Sequence, residues 1–433
     1  MSRIVLIVVL VVAYASPLAA DNWERYRGPN GSGNAIGPAP PTKWSSEKNV
    51  KWTTPLPGKG TSSPIVSGER VFLTCYAGYG LIPEDPGEPL DLVRHLLAFD
   101  RKTGKEIWRA SVPSGGNEDP YQGFITQHGY ASSSPTTDGE RVFALLGKSG
   151  LYAFDLSGNE LWKFDVGQKS DPAKWGDGSS PIVVGDLVIV DAGVLGNQFV
   201  AIDKVSGQKA WSLEDPTFTN CWATPVLANM AASSEVLFHI PKRIMGLDLR
   251  TGKTLWTAES PIDDAACGSI VVNDGRAYLM GSRTGNAMAI RCGGSGDVSA
   301  SHTLWKTRLR AGITTPVILG ENLYWTTGGI FYAANAETGE YVYKQRLPRL
   351  GGPTGGFPNA DYSSPIIAGE HIIQFTRNGE SYVIKPGNEF ELVSHNPAFR
   401  DDDSAFSATP AVSEGELFIR SENNLYCISA SQR

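Results

Sequence analysis

The stretch Ala98-Phe99-Asp100-Arg101-Lys102-Thr103-Gly104-Lys105-Glu106-Ile107-Trp108 decides the fold, because related stretches return along the chain. Copies occupy 201–211 and 246–256, a copy one residue shorter occupies 153–162, and a decayed copy occupies 333–343. The Asp can accept hydrogen bonds from the turn backbone and the Gly permits a positive φ, so antiparallel strands flank each turn. The terminal Trp lies on an outer strand, where its large ring can fill the wedge between units.

A second motif, a small residue followed by proline, opens each unit. From Ser134 onward its copies lie 44 to 49 residues apart, while the first interval of 71 residues contains the insertions Tyr76–Arg94 and Ser111–Tyr130. Four short strands in a unit of this length are typical of a propeller blade. The copies are Ser63-Pro64, Ser134-Pro135, Ser180-Pro181, Thr224-Pro225, Thr315-Pro316, Ser364-Pro365 and Thr409-Pro410, with a degenerate copy at Gly268-Ser269.

The last unit starts near Ala408 and has room for only three strands before Arg433. The segment Asn49–Thr54, with Trp52 in the outer-strand position, supplies the missing strand, and such closure hides sheet edges. We therefore predict an all-β, eight-bladed β-propeller with four antiparallel strands per blade, closed by the N-terminal strand. The tryptophans predicted to dock one blade on the next are Trp52, Trp108, Trp162, Trp211, Trp256 and Trp305.

The first twenty residues differ from the rest of the chain. Arg3 precedes the apolar run Ile4–Val12, and small residues end the segment at Ala20. The run is shorter than the roughly 20 residues of a membrane-spanning helix, so we expect a signal peptide at 1–20, an N-terminal extension at 21–48 and the propeller at 49–433. The mature protein is expected to be periplasmic or secreted, without a transmembrane segment.

Charge and cysteine content exclude some function classes. The net charge is −7 and no Lys/Arg cluster occurs in the mature chain, so a nucleic-acid partner is not expected. Five cysteines are too few for a disulfide framework. We expect the cysteines to be small buried hydrophobic residues, with a disulfide between Cys221 and Cys267 as an alternative, and we expect the protein to be a monomer.

Residues just before the proline motifs are expected to line one mouth of the central channel. Asp177 and Asp361 both lie four positions before their prolines, in blades 3 and 7 on opposite sides of the ring. They are therefore too far apart to form the pair of catalytic carboxylates of a glycosidase, which lie roughly 5–9 Å from each other. The alternative to a role in ligand binding is that both carboxylates belong to a solvated rim. With the nearby aromatic residues Trp175, Trp222 and Tyr362, they form the predicted ligand-binding set.

The repeat is similar to that of exported bacterial proteins with pyrroloquinoline-quinone-type (PQQ-type) propeller repeats, a repeat shared with quinoprotein dehydrogenases and BamB. The segments Trp23–Asn30, Asn49–Trp52 and Gly60–Pro64 carry the closer resemblance. In the dehydrogenases the resemblance implies PQQ, a Ca²⁺ with Glu, Asn and Asp ligands, a catalytic Asp and usually two adjacent cysteines. No adjacent cysteines occur here, so we predict no catalytic residue, no metal ligand and no cofactor.

The sequence favours an exported binding or scaffold propeller over an enzyme. It would engage a protein or an envelope polymer through the loops of its funnel face. One alternative is a PQQ- and Ca²⁺-dependent oxidoreductase. The other is an outer-membrane assembly factor like BamB, although no cysteine that could carry a lipid tether precedes Cys75.

Overall fold

The computed structural model describes residues 21–228, 235–349 and 362–430. In these residues eight sheets, each with four antiparallel strands, form an eight-bladed β-propeller, which confirms the predicted fold. From the inner to the outer strand, blade 1 contains Ile65–Ser67, Arg70–Ala77, Val93–Asp100 and Glu106–Pro113, and blade 2 contains Thr136–Thr137, Arg141–Leu145, Leu151–Asp155 and Glu160–Phe164. Blade 3 contains Ile182–Val184, Leu187–Ala192, Gln198–Asp203 and Lys209–Glu214, and blade 4 contains Val226–Leu227, Glu235–Ile240, Arg243–Asp248 and Thr254–Glu259.

Blades 5 to 8 repeat the arrangement. In the same order, blade 5 contains Val271–Asn273, Arg276–Met280, Asn286–Arg291 and Thr303–Arg308, and blade 6 contains Val317–Leu319, Asn322–Thr327, Ile330–Asn335 and Tyr341–Arg346. Blade 7 contains Ile366–Ala368, His371–Phe375, Ser381–Lys385 and Glu391–Asn396, and blade 8 contains Ala411–Ser413, Glu416–Arg420, Asn424–Ile428 and Val50–Pro55. A short fifth strand, Gly296–Asp297, pairs in parallel with the outer strand of blade 4. Short helical turns are Pro29–Gly31, Pro89–Asp91, Ile125–His128, Gly147–Ser149, Gly193–Gly196 and Ser299–His302.

The N-terminal strand closes the ring as predicted. Val50–Pro55 pairs antiparallel with Asn424–Ile428, and Trp52 stands opposite Cys427. Blade 8 is therefore built from both ends of the described chain. Its outer edge strand comes from the N-terminal end, so the first and last blades cannot separate without breaking this pairing.

Eight hydrogen bonds join the blades in a closed circle around the axis. The backbone N–H of the Ser or Thr in each small-residue–proline motif donates to the side-chain hydroxyl of its equivalent in the next blade, at 2.8–3.1 Å. Ser269 takes part although no proline follows it, so the degenerate motif does mark a blade. The order is Ser63, Ser134, Ser180, Thr224, Ser269, Thr315, Ser364, Thr409 and back to Ser63.

Most repeat tryptophans contact the turn of the following blade. The Trp52 indole N–H donates to the Arg101 carbonyl at 2.9 Å, directly after the turn Asp. Gly104 lies against this ring, where an added Cβ would come within 2.6 Å of it. Trp108, Trp162, Trp211 and Trp305 each donate to the equivalent carbonyl in the next blade.

Burial differs among these tryptophans. Trp52, Trp211, Trp256 and Trp305 are buried, whereas Trp108 and Trp162 are half-buried. Trp256 donates instead to the carboxylate of Glu235 in its own blade, because the turn of the following blade has diverged. The blade-docking role of the set stays a prediction.

The N-terminal extension packs into the propeller. Trp23 and Trp44 are buried in one core cluster with residues of blades 1, 7 and 8. Arg27 is 0% exposed, and its guanidinium donates to five carbonyls, including Pro316 at 2.7 Å in blade 6 and Pro365 in blade 7. The segment therefore joins neighbouring blades from blade 6 round to blade 1, while the boundary after residue 48 stays a prediction.

Two further sequence predictions concern membrane segments and cysteines. The expected signal peptide, residues 1–20, lies outside the described residues, in which no helix is long and apolar enough to span a membrane. All five cysteines are free, so the bridge that the sequence left open between Cys221 and Cys267 is not formed.

Candidate ligand-binding cavity

A cavity of about 380 Å³ lies on the propeller axis, with lining residues from all eight blades. It faces the starts of the inner strands and the turns between second and third strands, which this up-and-down topology places at one end of the ring. Tyr26, from the N-terminal extension, also lines it. Its size falls within the roughly 300–1,000 Å³ of small-molecule sites.

The structure brings four of the five predicted ligand-binding residues together around this cavity. They are Trp175, Asp177, Trp222 and Tyr362. The fifth, Asp361, lies outside the described residues. These residues lie three to six positions before the prolines of blades 3, 4 and 7, which places them at one mouth of the channel, and their role in binding stays a prediction.

Aromatic rings form one wall of the cavity. Trp175 stacks on Trp222 with ring centroids 4.9 Å apart, and the edge of Phe124 meets Trp175 at 4.8 Å. The Trp222 indole N–H donates to the Gly176 carbonyl at 2.8 Å and fixes that ring. The Arg283 Cζ lies 4.8 Å from the Trp175 ring centroid, a cation–π arrangement.

Asp177 is the one carboxylate in the described lining. Burial raises its pKa to about 6, although nearby Arg94 opposes the shift. Behind it, in a void of about 10 Å³, Arg94 and Glu118 form a buried two-bonded ion pair at 2.8 and 2.9 Å. Asp177 is therefore mainly ionised at neutral pH, and it offers an acceptor to hydroxyl or cationic groups.

Neutral polar groups make up most of the remaining lining. Burial lowers the pKa of His128 to about 4, so this imidazole is uncharged at neutral pH. Its Nδ1 lies 3.0 Å from the Ser132 hydroxyl, which in turn lies 3.1 Å from that of Thr61. Further hydroxyls of the lining belong to Ser63, Ser134, Ser180, Ser282, Thr327, Ser407 and Thr409.

Sequence reasoning missed lining residues in the loops before the inner strands, among them Thr61 and Ser407, and a second group at the turns between second and third strands. Ser282 and Arg283 lie in such a turn of blade 5, and Thr327 ends the second strand of blade 6 directly before one. These turns lie at the same end of the ring as the loops before the proline motifs, so the four-strand repeat itself could have identified them. Other loop aromatics are core residues, since Tyr130 and Phe406 are buried.

The described lining does not fit the ligand set that the dehydrogenase resemblance implies. It contains one carboxylate and no amide side chain. Among residues 21–228, 235–349 and 362–430, no three His, Cys, Asp or Glu side chains lie close enough together to hold a metal ion. Ca²⁺ takes six to eight oxygen ligands, usually with several carboxylates, so no step through a quinone–Ca²⁺ centre follows from these residues.

Comparisons with known proteins agree with the fold. A curated polyvinylalcohol dehydrogenase from Pseudomonas sp is 23% identical over 385 residues, 78% of this chain and 52% of the relative, so the chain spans about half of that protein. BamB from Moraxella catarrhalis superposes with a TM-score of 0.57 at 16% identity, over 88% of this chain and 99% of that one. A europium-containing methanol dehydrogenase superposes with a TM-score of 0.64 at 11% identity, over 94% and 98% of the two chains.

A family model provides the assignment. The model described as outer membrane protein assembly factor BamB matches residues 93–345 and 242–433, most of the chain. The two matches overlap, as expected for a repeat that fits the model in more than one register. The chain therefore belongs to the BamB family of PQQ-type β-propeller repeat proteins.

Proposed function

We propose that this protein is an exported binding propeller that takes a ligand from a protein or an envelope polymer into its axial cavity. The observation that carries the proposal is the composition of the lining. Among the described residues, aromatic rings, hydroxyls, one carboxylate and one guanidinium converge on this cavity from loops of different blades. Loops held by a rigid scaffold are common binding sites. The family model that matches this chain is described as an outer membrane protein assembly factor, which supports a location of this protein in the cell envelope.

The site is better suited to holding a ligand than to transforming one. His128 has a lowered pKa and a hydroxyl neighbour, but within the described residues no hydrogen bond joins its imidazole to a carboxylate that would orient it as in a catalytic triad. The Trp175–Trp222 stack and the ring of backbone-bonded hydroxyls are held rigidly. Such preformed surfaces bind with little loss of side-chain freedom.

Site-specific photocross-linking tests the proposal. A benzoylphenylalanine in place of Phe124, at the cavity, is expected to cross-link to an envelope component, whereas the same group in place of Ile107 is not. Ile107 is exposed on the outer strand of blade 1. Cross-links that form equally at both positions, or only at position 107, would contradict binding through the funnel face.

A second candidate function is oxidation of an alcohol with a quinone cofactor. It is supported by the curated relative, whose name describes a polyvinylalcohol dehydrogenase. The lining formed by the described residues holds one carboxylate and no amide side chain, which does not match the expected set of Ca²⁺ ligands. Dye-linked oxidation of polyvinyl alcohol by the purified protein with PQQ and Ca²⁺ would favour this candidate. No activity above that of PQQ and Ca²⁺ alone would count against it.

A further inference from the structure

Arg283 is the one cationic side chain in the described lining of the cavity. Its backbone N–H donates to the Asp264 carboxylate at 2.9 Å, which fixes the turn. Its guanidinium lies over the Trp175 ring, with Cζ 4.8 Å from the centroid. A guanidinium lying on an aromatic face keeps its N–H groups free at the edge, where they can donate in the plane.

A second guanidinium lies next to the lining. Arg377 Cζ lies 4.9 Å from the centroid of Tyr362, and its Nη2 donates to the Gln127 carbonyl at 2.9 Å. Arg283 and Arg377 occupy equivalent turns, after the second strands of blades 5 and 7. The described lining itself holds one cation, Arg283, and one carboxylate, Asp177. Next to the lining, Arg377 adds a positive charge and Asp264, at the Arg283 turn, adds a negative one. These charges balance, and Arg283 is the described lining group with which an anionic group of the ligand can pair.

Hydroxyl groups supply further hydrogen-bond capacity. Ser407 is 7% exposed, its Oγ has no partner within the described residues, and it lines the cavity. Ser63, Ser134 and Ser180 each accept a backbone N–H, and each hydroxyl still has a proton to donate. Donors of this kind, beside flat aromatic walls, suit a ring that carries several oxygen atoms.

We propose that the cavity binds a carboxylate-bearing sugar, a uronic acid unit of an envelope polysaccharide, with the carboxylate on Arg283. This assignment rests on the proposed binding function and specifies its ligand. The planar fork of Arg283 matches a carboxylate in a two-bonded arrangement. The ring hydroxyls of the sugar then meet Asp177 and the serine hydroxyls. A neutral sugar would leave the guanidinium without its anion.

The experiment compares two ligands by isothermal titration calorimetry. Digalacturonate carries the carboxylates, and its methyl ester has the same ring system without the charge. We expect digalacturonate to bind one per chain and about tenfold or more tightly than the ester. Arg283→Gln should remove this preference, Arg283→Lys should keep part of it, and Arg109→Gln should leave it unchanged. Arg109 lies on the outer strand of blade 1, paired with Glu106.

The outcomes separate the ligand class from the binding function. Equal binding of the acid and the ester, or a preference that survives in Arg283→Gln, overturns the uronic acid assignment and leaves the cavity as the binding site. A tripeptide with a free carboxyl end that binds better than digalacturonate overturns the sugar assignment in favour of a protein end. Absence of any titration, together with no cross-link at position 124, overturns both the assignment and the proposed function.

Discussion

The closed circle of hydrogen bonds makes a quantitative prediction at Ser364. The Ser364 hydroxyl accepts the backbone N–H of Thr315 at 3.0 Å, and both residues are 1% exposed. Neither residue is among the described residues that line the axial cavity. Ser364→Ala would leave that buried N–H without a partner. We expect the free energy of unfolding to fall by about 1–3 kcal/mol, the usual cost of an unpaired buried donor.

The matched control is Ser364→Thr, because threonine fills the equivalent position at Thr224, Thr315 and Thr409. Threonine keeps the hydroxyl, so its loss should be well below that of alanine. Urea unfolding followed by far-UV circular dichroism measures both variants. Hydrogen exchange at the Thr315 amide should accelerate only in Ser364→Ala. An alanine variant as stable as the original protein, with the amide still protected, would refute a structural role for this hydrogen bond.

Three further perturbations follow from buried groups. Trp211→Ala should lower the free energy of unfolding by about 3–5 kcal/mol, because Trp211 is 6% exposed. Trp108→Ala should lower it less, because that ring is half-buried. A loss below about 1 kcal/mol for Trp211→Ala in denaturant titrations would contradict the prediction that this ring docks one blade on the next. Arg27→Met should lower the free energy of unfolding by at least about 3 kcal/mol, because five carbonyls lose their donor. An unchanged melting temperature would contradict a role of the N-terminal extension in holding blades together. Burial raises the pKa of Asp191 to about 8, above its unfolded value, so the native state keeps a proton that the unfolded state releases, and stability should fall by up to about 1.4 kcal/mol per unit between roughly pH 4 and 8. Asp191→Asn should flatten this slope in urea titrations at several pH values, and an equal slope in both proteins would show that the shift is absent.

Repeat spacing made the fold predictable from the sequence. The hydroxyl and the proline recur because each blade needs the same acceptor at the same place, and the Asp and Gly recur because each turn needs the same backbone shape. The missing fourth strand of blade 8 forced the assignment of residues 49–54, which the pairing of Trp52 with Cys427 confirms. These positions are strong evidence for a propeller because the same residues recur in successive blades.

The cavity was less predictable, because its residues do not repeat. Trp175 and Trp222 were predicted because they lie in the loops directly before proline motifs, six and three positions from the proline. The repeat places the turn of Arg283 at the same end of the propeller, but the contact of Arg283 with Trp175 depends on how blades 3 and 5 are arranged around the axis. The charged groups behind Asp177 come from the insertions of blade 1 and from blade 2, so their effect on its pKa depends on packing between blades.

The central claim is that the axial cavity holds its ligand without a quinone–Ca²⁺ centre. Isothermal titration of the purified protein with PQQ in the presence of Ca²⁺ tests it most directly, with Asp177→Ala as the comparison. The account predicts no saturable binding at micromolar concentrations in either protein. Micromolar, one-to-one binding that disappears in Asp177→Ala would contradict the account and support the oxidoreductase.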